Sequence, residues 1–384
     1  MSTPTESEPR PDVAIVGGGP VGLFLAVLLR SRGISCRVLE RKTSVTPESR
    51  SIGIHPPSLE YFEQCGIVQA FLDRGVRIQR GHVFDGSRRL GTLPFHCCSG
   101  PYRFVLSLPQ SETEALLENA LHALDPHCLV RGAHVADLIC DGEGFLIQAA
   151  GPNVPREVRA KVVVGCDGAE SIVRRHMEVS FQGEAYSDIY VMGDVADETD
   201  YGTDACIYLG RDGLVESFPL PDQKRRWVLK IDERIDDPSE IWFCREIRRR
   251  TGVVLDPDQF GWRSGFGVQA CVASLTVKEH VAIIGDAAHV MSPIGGQGMN
   301  VGWMDAWDLA AALSGNQSGA SQRVLQGHDE RVRKRAKWAI RRAEWNMRLG
   351  RKCRTPGLRN AFVRTLLCPP LNRLAARAFT MRWM

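Results

Sequence analysis

The chain has 384 residues, of which 43% are hydrophobic and 24% charged, and its formal net charge at pH 7 is +3. These values are ordinary for a soluble globular protein, and no apolar run approaches the roughly 20 residues that a membrane-spanning helix needs. Twelve cysteines without a C-x-x-C pair argue against a metal site and a disulfide scaffold. We therefore expect reduced thiols in a cytoplasmic protein.

The N-terminal residues predict a disordered tail followed by one β-α-β unit. Residues 1–10 are polar, contain two prolines and lack the apolar core of a signal peptide. An apolar strand at 12–17 leads into a glycine turn, a helix over 20–32 carries apolar residues on one face, and a second strand covers 36–40. Such a unit implies a parallel sheet with a right-handed crossover.

The glycine turn contains the pattern G-x-G-x-x-G at Gly17, Gly19 and Gly22. The first glycine permits a tight turn, the second lets the backbone approach a pyrophosphate, and the third lets the helix pack closely on the strand. The N–H groups that begin the helix then face the phosphates. Glu40, at the end of the second strand, can accept hydrogen bonds from an adenosine ribose. These features predict a dinucleotide site without choosing between NAD and FAD.

The later elements alternate between helices, buried strands and one sheet-rich region. Alternating apolar and polar residues from 189 to 231, with turns at 212–213 and 221–222, predict an antiparallel sheet. The other predictions, in chain order, are helices over 57–65 and 111–124, strands over 161–165 and 281–285, and helices from Trp303 onward that are interrupted near Pro356 and at 369–370.

The C-terminal region is strongly basic. Residues 331–364 contain 13 Lys and Arg against one acidic residue, Glu344, so the rest of the chain is net acidic. We expect a solvated helix face whose charges meet that acidic body, with an anionic surface or partner as the alternative. Trp338, Trp345 and Leu349 recur at helical spacing and predict a face that packs on the preceding domain, with membrane-surface binding as the alternative.

A second glycine-rich segment follows the strand at 281–285. It consists of Gly-Asp-Ala-Ala-His at 285–289 and Pro-Ile-Gly-Gly-Gln-Gly-Met-Asn at 293–300. Asp286, at a strand end, can accept hydrogen bonds from sugar hydroxyls, and a helix beginning near Gly298 can stabilise negative charge on a reduced flavin. The two glycine-rich segments together indicate one FAD, with its adenosine end at the first segment and its flavin end at the second.

With these motifs the sequence resembles the class A flavoprotein monooxygenases, the aromatic hydroxylases typified by para-hydroxybenzoate hydroxylase, over roughly residues 12–313. Gly-Cys-Asp-Gly at 165–168 resembles the D-G motif of that family, which is associated with FAD and pyridine nucleotide binding; Asp167 equally suits the cap of a helix beginning at Ala169. The resemblance implies cofactor contacts from Gly17, Gly19, Pro20, Val21, Gly22, Glu40, Arg41, Arg50, Gln110, Val135, Asp167, Asp286, Gly296, Gly298, Met299 and Asn300.

The resemblance also implies a reaction. NADPH, or NADH, reduces the FAD, O2 gives a flavin hydroperoxide, and its terminal oxygen hydroxylates an aromatic, phenolic or polyketide-type molecule. The protein places the substrate and excludes water. Candidate catalytic residues are Pro293, which fixes the loop near the flavin ring, and His55, whose alternative is a structural histidine. Candidate substrate contacts are Tyr208, Phe218 and Trp227, although aromatic residues on alternating strands ordinarily belong to the core.

Other functions fit the same scaffold. These are an epoxidase, a Baeyer–Villiger oxygenase, a flavin halogenase, an isoprenoid reductase and a non-enzymatic FAD-binding auxiliary protein. The tryptophan halogenase motif W-x-W-x-I-P and the reductase box P-x-x-Y-x-W are both absent from the sequence. The intact residues 293–300 argue against the auxiliary protein, because in the family this loop serves the reacting face of the flavin.

The predicted fold class is α/β: a Rossmann-like FAD-binding domain of the glutathione-reductase type, an inserted antiparallel-sheet substrate domain and a helical C-terminus. The predicted FAD-binding domain covers 11–180 and 271–320, with 76–106 as a candidate contributor to the substrate domain at 181–270, and C-terminal helices cover 321–384. A pocket between two such domains is a favoured ligand site. The expected partners are an aromatic substrate, O2 and NAD(P)H, without nucleic acid, membrane or metal. The oligomeric state is left open.

Overall fold

The computed structural model describes residues 10–46, 51–140, 142, 144–152, 154–235, 237–315 and 322–382. The predicted tail at 1–10 therefore lies outside the described residues except for its last member. All twelve cysteines are free thiols.

Twenty strands lie in the described residues. In chain order they are β1 (Val13–Val16), β2 (Cys36–Glu40), β3 (Gly53–Ile54), β4 (Val76–Ile78), β5 (Arg80–Asp85), β6 (Arg88–Pro94), β7 (Val105–Ser107), β8 (Leu129–Arg131), β9 (His134–Cys140), β10 (Phe145–Ala150), β11 (Glu157–Ala160), β12 (Val162–Gly165), β13 (Phe181–Ala196), β14 (Ala205–Gly210), β15 (Gly213–Leu220), β16 (Lys224–Ile231), β17 (Phe260–Ala273), β18 (Val277–Lys278), β19 (Val281–Ile283) and β20 (His289–Val290).

The helices separate or follow these strands. In chain order they are α1 (Pro20–Ser31), α2 (Pro56–Gln64), α3 (Val68–Arg74), α4 (Gln110–Leu124), α5 (Ile172–His176), α6 (Glu240–Thr251), α7 (Gly298–Ser314), α8 (Gln322–Gly350), α9 (Pro356–Leu367) and α10 (Leu371–Phe379).

A six-stranded sheet forms the centre of the α/β part, in the order β18-β19-β12-β1-β2-β8. Strands β1 and β2 run parallel with α1 between them, which confirms the predicted β-α-β unit. Strand β12 pairs in parallel with β1 on its other side, and β19 pairs in parallel with β12. The carboxyl ends of β1, β12 and β19 therefore meet at one edge, so the glycine turn, the D-G segment and the G-D segment come together there.

An eight-stranded sheet, in the order β20-β17-β13-β16-β15-β14-β5-β6, forms the second large layer. Its hairpins β14–β15 and β15–β16 confirm the predicted turns at 212–213 and 221–222. The sheet is wider than the antiparallel region predicted for 189–231, because β5, β6 and β17 join it. The sequence pattern missed β17 because three glycines interrupt its alternation.

The C-terminal helices pack back on both sheets. Helix α8 buries small residues and one methionine at helical spacing, namely Val332, Ala336, Ala339, Ala343 and Met347. The predicted face is therefore wrong for its tryptophans, since Trp338 and Trp345 are 37% and 51% exposed, whereas Leu349 packs against a buried cluster of the eight-stranded sheet. Small side chains let the helix approach the body more closely than the tryptophans would.

Several basic residues of this region meet acidic residues of the body. Arg335 contacts Asp305 at 2.8 Å and Arg351 contacts Asp188 at 2.7 Å. The acidic body therefore matches charges of this region, as expected, but the Arg335–Asp305 pair is largely buried and does not belong to a solvated face. Among the described helices, none combines the length and the apolar character that crossing a bilayer requires.

Candidate cofactor and substrate site

Glycines shape the turn between β1 and α1 for two different purposes. Gly17 has a φ of +104°, and a methyl group on it would lie 2.4 Å from the carbonyl oxygen of Cys166. A methyl group on Gly22 would lie 2.0 Å from the carbonyl oxygen of Gly17. Gly19 differs, since a methyl group there would meet no atom within 4 Å. Two glycines therefore serve internal packing, and one presents bare backbone to open space.

That open space belongs to two adjoining cavities, of about 760 Å³ and about 240 Å³. Both are lined by Gly19, Lys42, Glu114 and Cys166, so the cavities meet beside the glycine turn. Together they form one elongated groove that runs past the first residues of α1. Such a groove suits a dinucleotide whose pyrophosphate lies at a helix N-terminus.

The smaller cavity holds the predicted adenosine contacts. Glu40, Arg41 and Val135 all line it. The two carboxylate oxygens of Glu40 accept hydrogen bonds from the backbone N–H groups of Gly18 and Lys42, at 2.6 and 2.8 Å. Each carboxylate oxygen has a further lone pair with which to accept a ribose hydroxyl. Glu40 thus orders the turn and remains available to a ligand.

Asp167 also lines the smaller cavity and acts as a helix cap. Its Oδ2 accepts from the N–H of Ile172 at 2.7 Å, whereas its Oδ1 is buried without a partner. Helix α5 begins at Ile172 and not at Ala169, because Ser171 is the N-cap and accepts from the N–H of Arg174 at 2.9 Å. The capping and ligand-facing roles weighed for Asp167 are therefore compatible.

The D-G and G-D segments are tied together through one side chain. Arg174 donates from Nη1 to the carbonyl oxygen of Ala287 at 2.9 Å, and its guanidinium lies 3.8 Å from the ring centre of Phe181. Asp286, next to Ala287, is exposed to the larger cavity, but protein atoms enclose its other sides and this burial raises the pKa of its carboxyl. The groove therefore presents a carboxyl group where the resemblance places the ribityl chain.

The loop after β20 borders the larger cavity. Gly295 and Gly296 have left-handed φ values of +96° and +65°, which glycine adopts without strain. The predicted residues on this loop and elsewhere that line the cavity are Pro20, Val21, His55, Gln110, Pro293, Gly296, Gly298 and Met299.

Asn300 was predicted to contact the cofactor, but in the structure it holds backbone groups together. It is fully buried, and its amide donates to the carbonyl oxygens of Gly53 and Gly296 at 2.8 and 2.9 Å. Its Oδ1 accepts from the N–H of His55 and the hydroxyl of Ser58, both at 2.8 Å. Asn300 therefore fixes the loop to the segment around β3 and does not itself line the cavity. Arg50 lies outside the described residues.

His55 faces the cavity but is a poor proton acceptor. Its ring is 1% exposed, and its Nδ1 has no hydrogen-bond partner within the described structure. Burial, with a smaller contribution from the charge of Arg342, lowers the pKa of His55 to about 4. The imidazole is therefore neutral at pH 7, so it can exchange hydrogen bonds with a ligand but binds a proton weakly.

A buried ionic network supports the G-D segment. His289 Nε2 lies 2.5 Å from Asp305 on α7, and Arg335 on α8 contacts the same carboxylate at 2.8 Å. Burial alone would lower the pKa of His289, but the charge of Asp305, its hydrogen bond to the ring and the charge of Asp286 together outweigh burial and raise the pKa. The histidine of this motif therefore holds the loop to two helices and is not a cavity residue.

The eight-stranded sheet covers the larger cavity with one of its two faces. Phe218 on β15 lines the cavity, as predicted. Tyr208 and Trp227 point to the opposite face, so their prediction as substrate contacts is wrong. Trp227 is fully buried in the same cluster as Phe243 on α6, and the Tyr208 hydroxyl lies 2.5 Å from that of Tyr201. Both faces of this sheet are apolar, so the sequence pattern did not separate them.

Sequence reasoning also missed several cavity residues. Glu216 on β15 and Arg226 on β16 lie on the cavity face of the sheet, and Phe379 reaches the cavity from α10. An acidic residue between Val215 and Ser217 in an otherwise apolar strand was the one available signal for Glu216. Phe379 comes from a distant helix whose position no local pattern predicts.

The lining groups fit FAD. Helix α1 begins where the two cavities meet and α7 begins beside the larger cavity, so the N-termini of both helices supply backbone N–H groups to anionic parts of a ligand. A methyl group on Gly19 would fill the groove beside the start of α1. Asp286 and the unpartnered Oδ1 of Asp167 add acceptors for hydroxyl or N–H donors. Fold and groove together define a flavin-binding protein of the doubly wound type.

Comparison with known proteins gives the family. The profile described as FAD binding domain matches residues 10–343. The protein named uncharacterized aromatic compound monooxygenase YhjG of Bacillus subtilis is 33% identical over 332 residues, which cover 83% of this chain and 65% of that protein. Rifampicin monooxygenase of Streptomyces venezuelae is 34% identical over 318 residues, 79% of this chain and 65% of its own length.

A solved structure shares the fold. The p-nitrophenol 4-monooxygenase PnpA of Pseudomonas putida DLL-E4 superposes with a TM-score of 0.89 at 23% identity, covering 96% of this chain and 97% of that one. The chain belongs to the FAD-binding-domain family of class A flavoprotein monooxygenases. It spans 65% of the length of each of the two curated relatives.

Proposed function

We propose that the chain is an FAD-dependent monooxygenase that uses NAD(P)H and O2 to hydroxylate an aromatic, phenolic or polyketide-type small molecule. One observation carries the proposal: the larger cavity, of about 760 Å³, is bordered by both cofactor segments and by the sheet. A cofactor ring and a small substrate would share that space, whose size is typical of ligand sites. The name of the Bacillus subtilis relative supports an aromatic substrate.

In this proposal the chain positions the reactants and the cofactor performs the redox chemistry. A bound flavin, reduced by NAD(P)H, supplies the activated oxygen. The backbone around Gly19 and Gly298 holds its anionic parts, and Asp286 holds its sugar chain. Pro293 shapes the loop beside the ring. Neutral His55 offers a hydrogen bond to the ligand but does not serve as its proton acceptor.

The sheet has the second role. Residues 181–270, joined by β5 and β6, form the substrate-covering domain, while 11–180 and 271–320 form the FAD-binding domain. Apolar side chains such as Val228 and Phe266 line the cavity from the sheet and keep water away from the reacting atoms. The described residues contain one nucleotide-binding β-α-β unit, so NAD(P)H is expected to reach the flavin without a second such fold.

The test separates enzyme from auxiliary protein. The FAD-loaded chain is mixed anaerobically with NADPH or NADH, with and without phenol, 2-naphthol and 4-nitrophenol, and the flavin absorbance is followed. We expect bleaching by NADPH that at least one phenol accelerates, and in air an NADPH oxidation rate that the same phenol raises, with an oxygenated product. A flavin that neither nucleotide bleaches under any condition would contradict the proposal. Added halide, which must not appear in the product, excludes a halogenase.

A further inference from the structure

One carboxyl group lies in the middle of the apolar surface that covers the larger cavity. Glu216 on β15 is directly opposite Ile207 on β14 and Val228 on β16. The same cross-strand row continues to Val83 on β5 and Met192 on β13. All five side chains line the cavity. Because directly opposed residues share a face, the carboxyl group is surrounded by apolar neighbours on both sides.

No described residue donates a hydrogen bond to this carboxyl group or forms an ion pair with it, although Glu216 is only 7% exposed. The cations of the neighbouring strand β16 are engaged elsewhere. Arg226 donates from Nε and Nη2 to Asp194 at 2.6 and 2.7 Å. Lys230 lies 3.4 Å from Asp188. Both ion pairs lie on the same face of the sheet, on either side of the row that contains Glu216, and neither neutralises the charge of its carboxylate.

Folding alone does not account for a carboxyl group at this place. Burial raises the pKa of Glu216 to about 7, which shows that the protein opposes its charge. The hydroxyl of Tyr190, on β13, is buried without a partner, and burial together with the charges of Asp188 and Glu216 raises its pKa. An apolar side chain at position 216 would avoid the cost of burying an unpartnered acid. A ligand in the cavity supplies the missing partner.

We propose that Glu216 is the polar contact that orients the substrate: its carboxyl group accepts a hydrogen bond from a hydroxyl group on an aromatic ring whose surface lies against the apolar row. This inference rests on the proposed function, because it assumes that an aromatic molecule occupies the cavity. It also restricts the substrate class. Phenols without a carboxylate are favoured, since a carboxylate placed near Glu216 in a site of low dielectric is repelled.

The test measures ligand binding to the FAD-loaded chain through the change in flavin absorbance, with no NAD(P)H present. The probes are 2-naphthol, 2-methoxynaphthalene and 2-naphthoate. We expect the wild type to bind 2-naphthol about tenfold more tightly than its methyl ether, the ratio typical of one hydrogen bond to a charged group, and 2-naphthoate most weakly. In Glu216→Leu the ratio falls to about one, while binding of the ether is kept, which shows that the cavity is intact.

Two further comparisons sharpen the test. In the wild type, affinity for 2-naphthol rises as the pH increases through about 7, because the carboxylate is the better acceptor, whereas Glu216→Gln shows no such step. Glu184→Gln removes an exposed carboxylate from the same sheet and should match the wild type.

Several results would overturn the proposal. These are an unchanged naphthol-to-ether ratio in Glu216→Leu, absence of binding of every probe to the wild type, and a preference for 2-naphthylmethylamine over 2-naphthol, which would assign the site to ammonium ligands. Binding is read without turnover, so failure here is distinct from failure of the flavin to be reduced or to oxygenate a phenol.

Discussion

Alanine substitutions at Gly22 and Gly19 of the first turn should have opposite effects: the first should lower stability, and the second should lower the affinity for FAD. In Gly22→Ala, the new methyl group would lie 2.0 Å from the carbonyl oxygen of Gly17 and 3.2 Å from the Cβ of Cys166. The first contact is with backbone, and α1 is buried along Gly22–Leu29, so neither the helix nor the glycine turn can shift without loss of packing. Overpacking of this kind costs about 1–3 kcal/mol, and we expect about 3 kcal/mol here.

In Gly19→Ala the apoprotein should be nearly unaffected, because no atom lies within 4 Å of the new methyl group. Gly19 is the N-cap of α1, where alanine is somewhat less favourable, so the expected loss is below about 1 kcal/mol. The methyl group would instead stand between the helix N–H groups and a pyrophosphate. Loss of one or two charge-assisted hydrogen bonds corresponds to an affinity for FAD lowered about 10- to 100-fold.

The assays are denaturant unfolding of the apoprotein and titration of FAD by fluorescence quenching. Gly357→Ala, on α9, meets no atom within 4 Å and serves as the matched control. We expect it to change neither quantity. Tight FAD binding by Gly19→Ala, equal to that of the wild type, would refute the assignment of this turn to the pyrophosphate. A stable Gly22→Ala apoprotein would refute the packing argument.

Three other predictions test the site and its support. Asp305→Asn leaves buried cations without their charge partner and should lower the free energy of unfolding by about 3–5 kcal/mol in the denaturant assay. Asp308→Asn, at a more exposed pair, should cost less than about 1 kcal/mol in the same assay. Phe218→Ala should weaken 2-naphthol binding with little change in stability. Trp227→Phe should lower the free energy of unfolding by about 1–3 kcal/mol and leave 2-naphthol binding unchanged. Weaker binding in both variants would contradict the assignment of the two residues to opposite faces of the sheet. The raised pKa of Glu216 means that its acid form stabilises the fold fully below its ordinary pKa and that this stability is lost as pH rises through about 7. In the apoprotein, Glu216→Gln should therefore gain up to about 3 kcal/mol relative to wild type between about pH 4 and pH 8, and identical pH profiles would be the contrary result.

Local signals in the sequence located the segments that line the proposed cofactor half of the groove. The turn at Gly17, Gly19 and Gly22 combines a strand, a helix start and a conformational requirement within ten residues, so the pattern and the structure coincide. The second segment was assigned through the resemblance to the class A flavoprotein monooxygenases. In the structure, Gly295 and Gly296 of this segment adopt left-handed backbone. Asn300 was assigned to the right loop, but its hydrogen bonds to distant backbone were not visible in the sequence.

The residues that line the substrate half of the cavity depend on tertiary packing, which the alternation of apolar and polar residues along a strand does not predict. Helix α6 covers one face of the eight-stranded sheet and the cavity lies under the other, so Trp227 and Phe218 look alike in sequence while facing opposite ways. Likewise, the tryptophans of α8 were predicted to face the body, but alanines do so because they allow closer approach. In the sequence Glu216 is only a polar exception in its strand, and the structure adds that its cross-strand row has apolar residues on four other strands.

The most direct test of the account is the origin of the oxygen atom in the product. The FAD-loaded chain is supplied with NADPH, the phenol that accelerates flavin reduction best, and ¹⁸O2 in ordinary water, and the product is analysed by mass spectrometry. We expect one ¹⁸O atom in each hydroxylated product molecule, with NADPH consumed in proportion. A product that takes its oxygen from water, or NADPH oxidation that yields only hydrogen peroxide with every phenol tried, would contradict it.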